Sequence, residues 1–280
     1  MQNIAIVCNP TAGKGKAHAI RKMAEKALQK LSISYTSFHP PWPSQFKGFT
    51  SLWLIGGDGT LHYFLNRYPD IGLPLAIFKG GSGNDFAWKL YGNKTPGDYI
   101  ESILQATPKK IDAGSCNGKY FINGVGIGFD GAVVKAMGKK KFLPGHLAYL
   151  LAVLQQIFFY KEQELTMISG ETKNTGKVFM ISVANGSRYG GGFLVAPQSL
   201  VDDGDLDIVI IRQISPLKRL FHLHKVEKGV HLQLPFIDVL KGKKIIVSSA
   251  WPMCAHMDGE FMEADSFTID ILPGRFSFLF

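Results

Sequence analysis

Cysteine is scarce in this 280-residue sequence: Cys8, Cys116 and Cys254 are scattered and odd in number. That excludes a disulfide framework and offers no metal-site spacing, so a reducing compartment is expected and the thiols read as small buried hydrophobes. A spanning helix needs ~20 mostly apolar residues, and no segment qualifies. The best candidate, 142–160, is interrupted by Pro144, Gly145, His146 and the pair Gln155-Gln156. Met1 leads directly into a strand pattern without a charged start or cleavage site, so no secretory leader is expected. Internal repeats and low-complexity tracts are missing as well. Acidic residues are the minority: 22 Asp and Glu against 31 Lys and Arg leave a net charge of +9. With 46% hydrophobic and 19% charged residues, the composition is globular, and the length allows one large or two ordinary domains.

What is present is a set of apolar runs that end in glycine. Leu52-Trp53-Leu54-Ile55 reads as a buried strand and stops in Gly56-Gly57-Asp58-Gly59-Thr60. Glycines let the backbone approach a bulky anion, and successive amides form a concavity for phosphate oxygens. Asp58 would repel a bare phosphate, so a divalent cation between the two is expected. The helical pattern from Leu61 would add its dipole. An ordinary glycine turn is the plain alternative. Two more loops share this layout. Ile4-Ala5-Ile6-Val7-Cys8 runs into Asn9-Pro10-Thr11-Ala12-Gly13-Lys14-Gly15-Lys16, and Leu75-Ala76-Ile77-Phe78 runs into Lys79-Gly80-Gly81-Ser82-Gly83-Asn84-Asp85. The first is not a P-loop, because the Gly-Lys-Ser/Thr ending is absent, and it lacks the dinucleotide glycine spacing. In an open α/β sheet such loops gather at the carboxyl ends of the strands.

Residues 1–115 alternate strand and helix signals, with strands at 3–8, 33–38, 51–55 and 74–78 and helices near 16–31, 60–67 and 98–106. This predicts an α/β nucleotide-binding domain with a parallel sheet. From 116 to 280 short alternating runs predict a β-rich antiparallel, sandwich-like domain. Strands are expected at 109–114, 119–125, 164–170, 177–184, 205–212, 243–249 and 266–272, with helices near 146–160 and 215–227. The 146–160 helix reads as amphipathic, either covering a sheet, lining an acyl-chain groove or lying on a bilayer. Lys139-Lys140-Lys141 and Lys241-Gly242-Lys243-Lys244 are compact basic clusters with no RNA-binding aromatic signature beside them. A solvated face is the default for either.

The three loops resemble the nucleotide-side motifs of the diacylglycerol kinase catalytic domain, a family that includes sphingosine kinases and soluble bacterial lipid kinases. The second half is similar in order: Asn123 to Asp130, Ala184-Asn185-Gly186, Gly190 to Gly192, Ala196-Pro197, Asp202 to Asp207, and Met257-Asp258-Gly259-Glu260. The resemblance implies the same two-domain architecture, with the active site in the cleft between the domains and a final strand that returns to the first. It implies an ATP- and Mg²⁺-dependent lipid kinase that converts diacylglycerol to phosphatidic acid, with sphingoid bases, ceramide and phosphatidylglycerol as alternatives. Asn9, Pro10, Thr11, Ala12, Gly13, Gly57, Asp58, Gly59, Thr60, Leu61, His62, Tyr63 and Ser82 match nucleotide positions, and Lys14 and Lys16 could add positive charge. Asp58, Asp85 and Asp112 match a carboxylate network around catalytic Mg²⁺, although Asp85 could instead cap a helix.

Glu260 matches the proton acceptor, with Asp258 as its neighbour. On an extended segment the two carboxylates would face one side; an Asp-Gly turn is the alternative. Leu200 and Asp205 through backbone oxygens, and Asp203 through its carboxylate, match a structural Mg²⁺ loop, with a solvated acidic turn as the competing reading. The resemblance favours a cytoplasmic protein bound peripherally to an anionic membrane over a nucleic-acid partner, and leaves a homodimer open. Lys79, Gly80, His62 and Tyr63 depart from the family pattern and bear on nucleotide preference. Two rival readings stay open: a soluble small-molecule kinase of the NAD-kinase type, and a nucleotide-regulated membrane-binding protein without turnover.

Overall fold

The computed structural model describes residues 2–138 and 145–280. The chain divides into two compact units, Met1–Ile111 with Gly274–Phe280, and Asp112–Pro273.

In the first unit, β1 (Asn3–Cys8), β3 (Ser51–Gly56) and β4 (Leu75–Lys79) are buried along nearly their whole length. Continuous apolar runs suit strands covered on both faces, and parallel pairing follows. β2 (Ser34–Phe38) pairs with β1, β1 with β3, and β3 with β4, all in parallel. α1 (Lys16–Lys30) buries Ala17, Ile20, Ala24 and Leu28, a spacing that puts one stripe on the sheet. α2 (Asp58–Arg67) and α3 (Asp85–Tyr91) follow the second and third glycine loops. α4 (Pro96–Gln105) opens with a capping box, in which the Thr95 amide and hydroxyl both donate to the Asp98 carboxylate. The last residues of the chain return here: Phe278 pairs in parallel with Leu75, and the Tyr91 hydroxyl donates to the Leu279 carbonyl at 2.8 Å.

β5 (Lys109–Cys116) leads into the second unit, followed by β6 (Lys119–Phe121), β7 (Gly124–Gly128), α5 (Phe129–Gly138) and α6 (Gly145–Phe159). Then come β8 (Gln163–Ser169), β9 (Thr172–Ala184), β10 (Leu206–Arg212), α7 (Pro216–Glu227), β11 (Ile237–Gly242), β12 (Lys244–Met257) and β13 (Glu260–Phe278). Antiparallel pairing gives the order β11-β10-β9-β7-β12-β13, with β8 beside both β9 and β12. β10 shows why both faces are dry. Ile208 and Ile210 join a core with Val125, Val183, Val247 and Phe267. Val209 and Ile211 point the other way, into a core with Phe129, Val153, Ile157 and Phe179 beneath α5 and α6.

Three expectations are corrected. The run at 119–125 is two strands, because the Ile122 and Asn123 amides leave the ladder to bond the Asp258 carboxylate. The strands at 243–249 and 266–272 extend to a shared tight turn, where Met257 pairs with Glu260. The elements α5 and β11 carry too little periodicity to be foreseen; β11 buries only Ile237. The cluster Lys139–Lys141 lies outside the described residues. Among the described residues, no helix is long and apolar enough to cross a membrane.

Candidate active site

The glycine loops of the first unit meet backbone to backbone. The Gly80 amide donates to the Gly56 carbonyl at 2.8 Å, and the Asn9 amide to the Ile55 carbonyl at 3.0 Å. A Cβ on Gly81 would stand 2.3 Å from the Gly57 Cα. A Cβ on Gly13, whose φ is +58°, would stand 2.2 Å from the Gly80 carbonyl oxygen. No side chain fits at either place without moving main chain. Between these loops is a small concavity lined by Gly56, Gly57, Asp58, Leu61, Asn84 and Ala87.

Polar side chains fix the loops. The Asn9 carboxamide donates to Thr60 Oγ1 at 3.0 Å and accepts from the Thr11 hydroxyl at 2.8 Å. Asn84 is stitched reciprocally to the Gly81 amide and carbonyl, each at 2.8 Å. Asp58 Oδ1 accepts from the Phe86 amide at 3.2 Å, tying the start of α2 to the start of α3. Asn84, not Asp85, is the residue that precedes α3. Pro10, Ala12 and the exposed Ser82 lie along the same loops, and Gly59 is in the first turn of α2. Leu61 is in the core, and its amide, like that of Thr60, donates to the Gly57 carbonyl. His62 and the exposed Tyr63 follow on α2, with Tyr63 against the Trp42 ring. Lys79 points away from any phosphate role: its ammonium is bonded to the Gly92 and Lys94 carbonyls at 2.5 and 2.7 Å. Lys14 and Lys16 remain exposed.

The second unit carries a different network. Asp258 and Gly259 both have positive φ, +49° and +88°, so they are the two central residues of a tight hairpin. The expected extended segment, with both carboxylates on one side, is therefore wrong. The Asp258 carboxylate is buried and accepts three backbone amides: Ile122 and Asn123 at 2.9 Å and Gly124 at 3.0 Å. Glu260 is exposed at the start of β13. The Asn123 carbonyl accepts the Asn185 and Gly186 amides, and Asn185 Nδ2 donates to the Asp112 and Ile122 carbonyls. The motifs of the second half thus brace one another and the hairpin.

Asp112 is bound into the same network rather than left as an isolated carboxylate: its Oδ2 accepts the Gly204 amide at 2.7 Å and its amide donates to the Val201 carbonyl. The expected structural ion at Leu200, Asp203 and Asp205 finds its charge already balanced. Asp203 Oδ2 meets Lys241 Nζ at 2.6 Å, and Oδ1 accepts the Asp205 amide. These contacts hold the Asp203 carboxyl below its ordinary range, against the opposing pull of partial burial. That arrangement is an acidic turn closed by an ammonium, which occupies the carboxylate an ion would need. Among the described residues, no group of at least three His, Cys, Asp or Glu side chains is assembled for a metal.

An apolar cavity also lies in the second unit. Phe129, Val153, Ile157, Phe179, Leu223 and Val226 are on its wall. Asp130 and Tyr189, which sequence reasoning did not single out as a pair, are among its polar side chains. The Tyr189 hydroxyl donates to Asp130 Oδ2 at 2.6 Å, and buried His256 places Nε2 3.9 Å from the same oxygen. Burial raises the Asp130 carboxyl above its ordinary range, opposed by His256, and lowers His256, opposed by Asp130.

Comparison with known proteins follows the same division. Residues 3–116 match the diacylglycerol kinase catalytic domain, and residues 123–280 match the YegS C-terminal NAD kinase beta sandwich-like domain. A diacylglycerol kinase of Bacillus subtilis (strain 168) is 24% identical over 292 residues, 99% of this chain and 93% of that one. A diacylglycerol kinase of Mycobacterium tuberculosis (strain H37Rv) is 24% identical over 275 residues, 92% of this chain and 88% of that one. The crystal structure of a diacylglycerol kinase from Bacillus anthracis (strain Sterne) shares the fold, with a TM-score of 0.73 at 20% identity over 100% of this chain and 96% of that one.

Proposed function

This chain belongs to the diacylglycerol kinase catalytic-domain family, and we propose that it transfers the γ-phosphate of ATP to a lipid hydroxyl, that of diacylglycerol. The observation that carries the nucleotide half is the close packing of Gly13 on Gly80 and Gly57 on Gly81. Where the glycines meet, the main chain is bare of side chains, and amides at a helix start attract phosphate. The apolar cavity of the second unit supports a lipid acceptor over a polar metabolite such as NAD.

Hard carboxylate oxygens suit Mg²⁺, and the glycine cradle beside Asp58 suits the phosphates it accompanies. Asp58 and Asp85 would hold it, and it would neutralise charge on the transferring phosphoryl group. Glu260 takes the proton of the lipid hydroxyl as that oxygen bonds the γ-phosphorus. The bond from the γ-phosphorus to the β–γ bridging oxygen breaks, and ADP leaves with the electron pair. Asp258 does not share this work; it holds the hairpin on which Glu260 sits. The protein acts at the cytoplasmic face of a membrane. The test is transfer of label from γ-labelled ATP into a total lipid extract, with the product identified. Label in phosphatidic acid supports the reading; label only in a water-soluble product such as NADP would replace it with the NAD-kinase type.

A further inference from the structure

Helix α7 exposes what a packed helix hides. Leu217, Leu220 and Phe221 are 74, 41 and 67% exposed. At 3.6 residues per turn, Leu217, Phe221, His224 and Lys228 fall on one side, flanked by Leu220, Lys218 and Lys225. The opposite side is anchored. Arg219 is buried, its guanidinium donates to the Ile157 and Tyr160 carbonyls at 2.9 and 3.0 Å, and it pairs with Glu162. It thereby ties the first turn of α7 to the last turn of α6, where Phe158 and Phe159 are 48 and 75% exposed. The inner sides of the two helices, Val153 and Ile157 on α6 and Leu223 and Val226 on α7, line the apolar cavity.

We propose that the outer face of α7, with the Phe158-Phe159 end of α6, is the surface that docks on an anionic lipid bilayer. Apolar side chains flanked by lysines are the pattern of a helix lying in a membrane interface, with the lysine stems reaching outward to headgroups. Charge chooses the occupant. Lys218, Lys225 and Lys228 stand against one acid, Glu227. A second copy meeting this face across a two-fold axis would set like charges together; anionic headgroups complement them. The other basic cluster is partly spent, since Lys241 pairs with Asp203 and Lys244 with Asp270. Docking here also sets the bilayer against the helix pair that roofs the cavity. The choice of a bilayer rests on the lipid-kinase reading.

The test is sedimentation with vesicles of phosphatidylcholine, with and without phosphatidylglycerol, alongside melting temperature, sedimentation-velocity mass and phosphorylation of a short-chain soluble diacylglycerol. Leu217→Ser with Phe221→Ser should cut vesicle partition about tenfold or more at any salt. Lys218→Glu with Lys225→Glu and Lys228→Glu should cut it strongly at low salt and less at high salt. Both variants should keep the wild-type melting temperature and short-chain rate. If the wild type does not phosphorylate the short-chain lipid but the serine variant still loses vesicle binding, docking stands and the kinase reading falls. Wild type that ignores phosphatidylglycerol, or a serine variant that binds as wild type, overturns the proposal. So does a serine variant that turns a dimer into a monomer with vesicle binding intact, which assigns the face to a second copy.

Discussion

Asp258→Asn separates scaffold from chemistry at the hairpin. Asparagine tolerates the left-handed backbone that Asp258 adopts, so the swap leaves the turn unstrained and changes only the carboxylate. In the wild type Oδ1 accepts Asn123 and Gly124, and Oδ2 accepts Ile122. The asparagine oxygen keeps two of these amides, but its NH₂ faces the Ile122 amide, donor against donor. Leaving that buried amide unpaired costs ~1–3 kcal/mol. Losing ionic assistance at the other two bonds costs about 1 kcal/mol each. Asp258 is only 8% exposed, so solvent offsets little of this. The sum is about 3–5 kcal/mol, or roughly 10 °C in melting temperature for the unit that contains it. Thermal melts followed by circular dichroism read the effect. Glu260→Gln is the control: Glu260 is exposed, and its variant should melt with the wild type within ~0.5 kcal/mol. If Asp258→Asn melts within about 2 °C of wild type, the carboxylate is not the hairpin's anchor and the reasoning fails.

Gly81→Ala should weaken ATP binding about tenfold or more by titration calorimetry, because its Cβ meets the Gly57 Cα at 2.3 Å and main chain must move; unchanged affinity would show that the loops are not a phosphate cradle. For the Asp203 turn, the wild-type melting temperature should not respond to millimolar Mg²⁺, whereas Lys241→Met, which strips the ammonium from Asp203, should make it respond. A wild type that responds and loses the response in Asp203→Ala would restore the structural-ion reading. Stability should also fall on acidification below about pH 6.5. Buried His256 and His231 have folded pKa values lowered from the ordinary 6.5, so the unfolded chain takes up protons there that the folded chain refuses. Raised Asp130 works oppositely, relieving its burial penalty as it protonates at lower pH. His256→Asn should shrink the loss between neutral pH and pH 5 in urea titrations; an unchanged slope would clear His256.

The first unit was legible because its signals are local. Apolar runs such as Leu52–Ile55 can only be buried strands, and each ends in a glycine loop whose role follows from the loop itself. That Gly57 and Gly81 touch was not legible, since no local pattern encodes a contact between loops. The second unit hid more. Asp258 shares a side with Glu260 only if the chain is extended; the Asp-Gly dipeptide turned it instead, and three amides far away in sequence claimed its carboxylate. Lys241 was read as part of a surface cluster because nothing near it in sequence announces Asp203. Asp130, Tyr189 and His256 come from three separate segments and meet only in the folded chain.

The central claim is that this chain moves the γ-phosphate of ATP to a lipid hydroxyl with Glu260 as the proton acceptor. The direct measurement is the rate of label transfer from γ-labelled ATP to diacylglycerol in mixed micelles, for wild type and Glu260→Gln, with ATP affinity measured in parallel. The account predicts labelled phosphatidic acid from the wild type, and from the variant a rate lower by ~10²–10⁴-fold with ATP affinity nearly unchanged. No labelled lipid from a folded, ATP-binding wild type, or an undiminished rate from the variant, would contradict it.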